Sequence, residues 1–280
     1  MAVDLAQHRG SWFVVKIGGE LIGPGKLRGV AEGVRALREA GARVVIVHGG
    51  GPQANALTRR LGLEPRQVAG RRITDEATLQ VVKQALAGEA GVDLAACMRA
   101  EGVPVIALTG VSGGLVDAKK RPPRRIPGGP DEPVDLGFVG DVTSVKVSLL
   151  ELLVDAGYVP AIASLGGDAQ GGVWNINADT FARSVAAALN ASGLLLVSNV
   201  PGVLRDPADP QTRIPRITPA EADRLIAEGV ITGGMIAKVQ EALEGVRLGI
   251  RAVHVCGAGE GQLLAEIREP GSSGTVFVAD

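Results

Sequence analysis

Two lysines, an aspartate and an arginine stand where an ordinary fold gains little from them. Lys16 closes the apolar run Trp12–Ile17, just before Gly18-Gly19. An ammonium in such a run loses its hydration unless an anion replaces it. Lys238 follows Gly233-Gly234 in the first turn of a helix, where a cation opposes the helix dipole. Either an anion satisfies both lysines, or both snorkel to solvent. Asp179, in Asn175-Ile176-Asn177-Ala178-Asp179, opens a helix. It is either a partner of that dipole or, set between the lysines, the group that fixes both ammoniums. Arg72 offers a planar fork suited to a carboxylate; a surface ion pair with Asp75 or Glu76 is the plainer alternative. His48 borders the same region and reads as a packed structural histidine.

Four glycine-bearing turns accompany these residues: Gly18-Gly19, Gly49-Gly50-Gly51, Asn199-Val200-Pro201-Gly202 and Gly233-Gly234. The shared reading is that a strand ends, glycines follow and a helix begins. In an open parallel sheet, ligands gather at the carboxyl ends of the strands. Glycines let the backbone approach phosphates, and helix N-termini present unpaired N–H groups to anions. Four such turns imply a pocket for a highly anionic ligand. No G-x-x-x-x-G-K-[ST] loop is present. Gly49–Ala54 fits G-x-G-x-x-A, but the acidic residue expected about 20 residues later is missing, which leaves a dinucleotide oxidoreductase as a minor alternative.

These residues need a frame to hold them. Short apolar runs at Trp12–Ile17, Val44–Val47, Pro104–Leu108, Val159–Ala163, Leu194–Val197, Ala252–Val255 and Thr275–Val278 read as strands. Amphipathic stretches at Lys26–Ala40, Gln53–Leu61, Asp75–Ala87, Val92–Ala100, Val145–Ala156, Ala178–Asn190, Ala220–Glu228 and Met235–Leu248 read as helices. The alternation predicts βαβ crossovers, a mostly parallel sheet and helices on both faces. Two stretches break the rhythm. Leu115–Asp141, with its basic run Lys119–Arg125, reads as a solvated hairpin or as a lid over an anionic substrate. Leu204–Thr218, with three prolines, reads as an irregular surface loop.

Composition removes whole classes of function. Twenty-nine basic residues against thirty acidic ones give a net charge of −1, which argues against a nucleic-acid or membrane-surface protein. Two Trp, one Tyr and four Phe are too few for base-stacking platforms. No apolar run reaches the ~20 residues of a membrane helix. Met1–Gly10 lacks a signal-peptide core, and Cys97 and Cys256 read as buried free thiols of a cytoplasmic protein.

Taken together, the stretches Val14–Ile22, Val45–Asn55, Gly70–Val82, Leu108–Lys120, Val134–Val142, Gly157–Gly166, Trp174–Ala182, Leu196–Leu204 and Ile231–Val239 resemble the amino-acid kinase superfamily, in family order and across nearly the whole chain. Within it they are most similar to the branch that phosphorylates N-acetyl-L-glutamate in arginine biosynthesis. The resemblance implies a three-layer αβα sandwich with a central, mostly parallel sheet. It implies an acylamino-acid lobe that also dimerises, residues 1–190, and an ATP lobe, residues 191–280. It casts Lys16 and Lys238 as transition-state lysines and Asp179 as their organiser. Gly50 and Gly51 become donors to the acyl substrate, and Arg72 and Asn175 hold its carboxylate end. Asn199, Val200, Pro201, Gly202, Val203 and Leu204 match the segments around the nucleotide, as do Val230, Ile231 and Thr232, with Gly18, Gly19, Gly233 and Gly234 counted to the same side. ATP brings Mg²⁺ on its phosphates, and no dedicated protein metal site is expected. Asn199 stands where most members carry Asp, as in relatives that act on an aminoadipate derivative. A homodimer insensitive to arginine is expected, since Gly261–Leu264 lacks the histidine associated with arginine sensing. A non-catalytic amino-acid sensor on the same fold is the rival from another class.

Overall fold

Strand β1, Trp12–Ile17, lies near the middle of the molecule, between β2 (Arg43–His48) and β11 (Gly193–Ser198), with both pairings parallel. The computed structural model describes residues 5–126 and 128–280; Met1–Asp4, part of the N-terminal segment read above, lie outside it. Outward from β2 come β8 (Val159–Ala163) and β5 (Val105–Thr109), again parallel. Outward from β11 come β13 (Val253–Gly257), then β14 (Thr275–Phe277), antiparallel to it, and the short edge strand β12 (Arg216–Ile217). This eight-stranded sheet is the mostly parallel one expected.

Its inner strands are apolar on both faces because helices cover both faces. One side packs Phe13, Val15, Ile17 and Ile46 under α1 (Arg28–Glu39), α4 (Gly91–Ala100) and α9 (Gln262–Arg268). The other packs Val14, Val45 and Val47 under α5 (Ser148–Asp155), α6 (Ala178–Ala188), α7 (Pro219–Ala227) and α8 (Gly234–Arg247). Alternation along a strand then decides where Lys16 goes. It shares the Val14 face, under α6, and pairs in register with Val47 and Leu196. The sheet runs unbroken across residues 190 and 191, through the β1–β11 ladder.

Several expectations are corrected. Helix α2 starts at Gly51 and ends at Arg60. The hairpin β3 (Gln67–Val68) and β4 (Arg71–Arg72) was not foreseen. Helix α3 (Glu76–Lys83) and α4 are joined through a π-helical stretch, Gln84–Ala90, so the two expected helices run as one. Leu115–Asp141 is not merely a solvated hairpin. Its β6 (Val116–Lys120) pairs with β7 (Gly140–Val145) and meets β9 (Leu165–Gly167) and β10 (Val173–Asn175) in a second, four-stranded sheet. Arg121, in the middle of the basic run, is only 5% exposed and ion-paired with Asp141. Val145 therefore ends a strand, and the helix expected from it begins at Ser148. Leu204–Thr218 is also more than a surface loop, because Ile214 and Ile217 are buried. Cys256 is buried, whereas Cys97 is only half-buried; both are free.

Candidate active site

Only the first two glycine turns follow the expected strand-to-helix form. After β1 comes a single turn of 3-10 helix, Gly19–Leu21, and after β2 comes α2. The two turns touch backbone to backbone: a Cβ on Gly19 would lie 2.9 Å from Gly50 Cα, and one on Gly50 only 2.7 Å from Leu86 Cδ1. A side chain at either place would force its neighbours to shift. Gln53, in the first turn of α2, ties the turns together by donating from Nε2 to the Gly19 carbonyl at 2.9 Å. Asn199–Leu204 instead leads into irregular chain, and Gly233-Gly234 joins α7 to α8. Gly233 takes φ +55° as it enters α8, a conformation costly for residues with a Cβ.

Gly49, Gly50 and Gly51 form one wall of a cavity of about 230 Å³, with Arg72, Arg121 and Asn175 around it. Helix α2 begins at this wall with Gly51, and the first amides of a helix have no intrahelical acceptor. Arg72 does not pair with Asp75 or Glu76. Its Nη2 donates to Asn55 Oδ1 at 2.5 Å and to the Gly51 carbonyl at 3.2 Å, while Nη1 is buried without a partner. Burial draws the Arg72 guanidinium's pKa down from its usual range. Asp75 is occupied otherwise, capping α3 through the Thr78 amide. Asn175 is anchored by donating from Nδ2 to Thr74 Oγ1 at 3.1 Å.

Lys16, 8% exposed, meets Asp179 at 2.8 Å. The local sequence explains Asp179's place. Asn177 caps α6 by accepting from the Asp179 and Thr180 amides, which fixes the first turn against β1. Burial pushes the Asp179 carboxyl upward, but the Lys16 contact and the charge of Lys238 outweigh it and hold the group below the usual carboxylate range. Asp179 is thus an ionised carboxylate in contact with Lys16 and within the field of Lys238. Lys238 is half-buried and is the fifth residue of α8, so it opens the second helical turn rather than lying in the first. It adds its charge to Asp179 without the direct contact that Lys16 makes.

A second cavity, of about 530 Å³, lies beyond the first. Gly70 and Arg71 line both, and Gly233, Gly234 and Ile236 complete the second. The β3–β4 hairpin therefore stands between Gly49-Gly50-Gly51 and the entrance of α8. Asn199 lies elsewhere, exposed, in grooves shared with Gly259 and Glu260 on one side and with Ser198 and Gly257 on the other. Of the neighbouring residues, Gly202 and Val203 are buried, Val200, Pro201 and Leu204 half-buried. Ile231 is buried, Val230 half-buried and Thr232 exposed.

Residue-level reading missed three features. Ser198 ends β11 with a buried hydroxyl that has no partner, facing a groove. Gly257-Ala258-Gly259 stands at the end of β13 as Gly18-Gly19 and Gly49-Gly50-Gly51 stand after β1 and β2, and that signal was available. Arg121 was visible only as part of a charge run. His48 is a packed histidine as expected. Its Nδ1 lies 2.9 Å from the Gly49 carbonyl, and burial lowers its pKa against that hydrogen bond. Among the described residues no group of three His, Cys, Asp or Glu could hold a metal ion, and no helix is long and apolar enough to cross a membrane.

The sequence pattern of the Amino acid kinase family matches residues 11–257. The chain is 52% identical over 269 residues to the acetylglutamate kinase of Anaeromyxobacter dehalogenans strain 2CP-1, covering 96% of this chain and 99% of that one. It is 51% identical over 267 residues to the acetylglutamate kinase of Sorangium cellulosum, covering 95% and 94%. A solved structure from Streptococcus mutans UA159 superposes with a TM-score of 0.76 at 30% identity, covering 96% of this chain and 99% of that one. The family pattern over residues 11–257 and relatives half identical along nearly the whole chain place it in the amino acid kinase family.

Proposed function

We propose that this chain transfers the γ-phosphoryl group of ATP to the side-chain carboxylate of N-acetyl-L-glutamate, giving N-acetyl-L-glutamyl 5-phosphate and ADP in arginine biosynthesis. The observation that carries the reading is the ionised Asp179 between Lys16 and Lys238, next to a cavity whose wall holds an unpaired Arg72 Nη1. A carboxylate oxygen attacks the γ-phosphorus in line. The new P–O bond forms as the bond to the β–γ bridging oxygen breaks, and ADP leaves with that electron pair. The nucleophile is already ionised, so no general base is required. What the protein must supply is alignment of two anions and stabilisation of charge on the transferring group.

The residues divide that work. Arg72 and Asn175 take the α-carboxylate end, and the Gly50 and Gly51 amides take the reacting end. Lys16 lies on the acyl side of the phosphoryl path and Lys238 on the nucleotide side, with Asp179 holding both ammoniums apart from the carboxylate under attack. Gly18, Gly19, Gly233 and Gly234 leave room for the phosphates. Asn199–Leu204 and Val230–Thr232 border the rest of the nucleotide, with Ser198 added to them. Mg²⁺ carried on the nucleotide offsets phosphate charge, and the protein supplies no cage for it. Residues 1–190 and 191–280 are functional halves of one continuous sheet, and the protein acts as a homodimer, which light scattering would test.

Asn199 is the feature that favours an aminoadipate derivative as substrate. It borders the outer groove rather than the acyl cavity, so it cannot measure substrate length. A coupled ADP-release assay with both acylamino acids decides the matter. N-acetyl-L-glutamate should win by at least about tenfold in kcat/KM, because one extra methylene moves the carboxylate off line as well as changing binding. Equal use of both acids would move the protein to the other branch.

A further inference from the structure

The packing of α6 against α8 contains a polar cluster that the reaction scheme above does not use. Thr180 Oγ1 donates to Glu241 Oε1 at 3.1 Å, and Arg183 Nη1 lies 3.0 Å from Glu241 Oε2. The Arg183 and Glu241 side chains are only 18% and 25% exposed. The positions of these residues matter more than their number. Thr180 is the residue after Asp179, and Glu241 lies three residues after Lys238, on the same face of α8. One carboxylate on the lysine-bearing helix therefore takes a hydrogen bond and an ion pair from the aspartate-bearing helix.

Apolar side chains such as Phe181, Val185, Val239 and Leu243 also join this side of the core. Hydrophobic contact is non-directional and by itself permits sliding of one helix along another. A carboxylate that accepts a hydrogen bond at one oxygen and is ion-paired at the other constrains separation and register together. Lys16 is placed by its strand and needs no such device, because β1 is laddered on both sides. Lys238 depends on how α8 docks, and its ammonium must work on Asp179 without touching it. We infer that Glu241 is a positioning residue, which through Thr180 and Arg183 sets Lys238 relative to Asp179 and the phosphoryl path. The inference rests on the role given to Lys238 above.

Steady-state kinetics on the full chain test it with Glu241→Ala, Glu241→Gln, Thr180→Val, Lys238→Ala and the Glu241→Ala/Lys238→Ala pair. Glu241→Ala should lower kcat by about tenfold with both KM values little changed, since misplacement by about 1 Å costs up to ~100-fold. Thr180→Val should lower the same parameter less, and it carries the test if Glu241→Ala fails to fold. Glu241→Gln, whose amide oxygen still accepts from Thr180, should recover much of the rate. In the Lys238→Ala background the Glu241→Ala loss should largely vanish, because both changes then act on one group. An unchanged kcat with a lowered melting temperature, or a loss that multiplies undiminished onto Lys238→Ala, would overturn the proposal. Normal turnover in Lys238→Ala alone would overturn the site reading itself, a distinct signature.

Discussion

The side proposed to hold the acyl substrate and the side proposed to hold the nucleotide are built in opposite ways. On the acyl side the side chains are tethered before any substrate arrives: Arg72 by Asn55, Asn175 by Thr74, Asp179 by Lys16 and the Asn177 cap. On the proposed nucleotide side the residues are largely backbone turns. Thr232, Gly233 and Gly234 are exposed, and Asn199 is exposed on another loop. Their support comes from distant chain, as where Thr275 Oγ1 accepts from the Val203 amide at 2.9 Å and donates to the Ile214 carbonyl at 2.7 Å. The contrast follows from the task. A short acylamino acid has few handles, so a few locked groups must place its reacting oxygen to within a fraction of an ångström. A nucleotide has many handles and tolerates a looser frame.

The strongest way to break this contrast is to remove the groups between the two sides. Lys16→Ala or Lys238→Ala should lower kcat by on the order of 10²–10³ while moving the KM values far less. Lys16→Arg should not rescue, because a planar fork does not replace a compact ammonium under α6. Near-normal turnover in Lys238→Ala would remove the nucleotide side from the chemistry.

Next in size is Arg72→Ala. Loss of a charged hydrogen-bond donor is worth about 1.5–3 kcal/mol, or roughly a tenfold to hundredfold rise in KM for N-acetyl-L-glutamate. KM for ATP should stay nearly constant. A larger effect on ATP would mean that Arg71 and Arg72 serve the nucleotide.

Thr275→Val sharpens the other half of the comparison. It strands the buried Val203 amide, at about 1–3 kcal/mol in stability, and should raise KM for ATP several-fold with no change for the acyl substrate. Thermal melting together with both KM values would check it.

The smallest effect concerns pH. Burial lowers the pKa of His48 in the fold, so its contribution is present above the ordinary value of 6.5 and is lost as pH falls. Burial raises Glu266, but the His254 contact and the amides of Gly271 and Gly274 bring its pKa below the ordinary 4.5. Its contribution is likewise present above that value and lost below it. The melting temperature should therefore drop in two steps, one as pH falls below 6.5 and one as it falls below 4.5, and His48→Gln should flatten the upper one. A rise on acidification would contradict both.

Much of the fold was legible because parallel strands buried on both faces are written as continuous apolar runs, and β1, β2, β8 and β11 all are. The second sheet was not. Its strands β9 and β10 have three residues each, and β6 alternates buried Val116 and Ala118 with charged Asp117 and Lys119. Such strands exist only through their neighbours. The same limit hid Arg121, whose burial depends on Asp141 arriving from β7.

The sequence alone determined which groups are candidates for the chemistry. It placed Lys16 at the end of a buried strand and Asp179 in a capped first turn, and it kept glycine where backbones must touch, because local propensity and alternation act over a few residues. Only tertiary structure decided what those groups meet. The 2.8 Å contact of Lys16 with Asp179, the bracing of Arg72 on Asn55 and the grip of Glu241 on Thr180 join residues 163, 17 and 61 positions apart. No local rule reaches that far. Such pairings are fixed when the sheet orders its strands and the helices dock on its two faces.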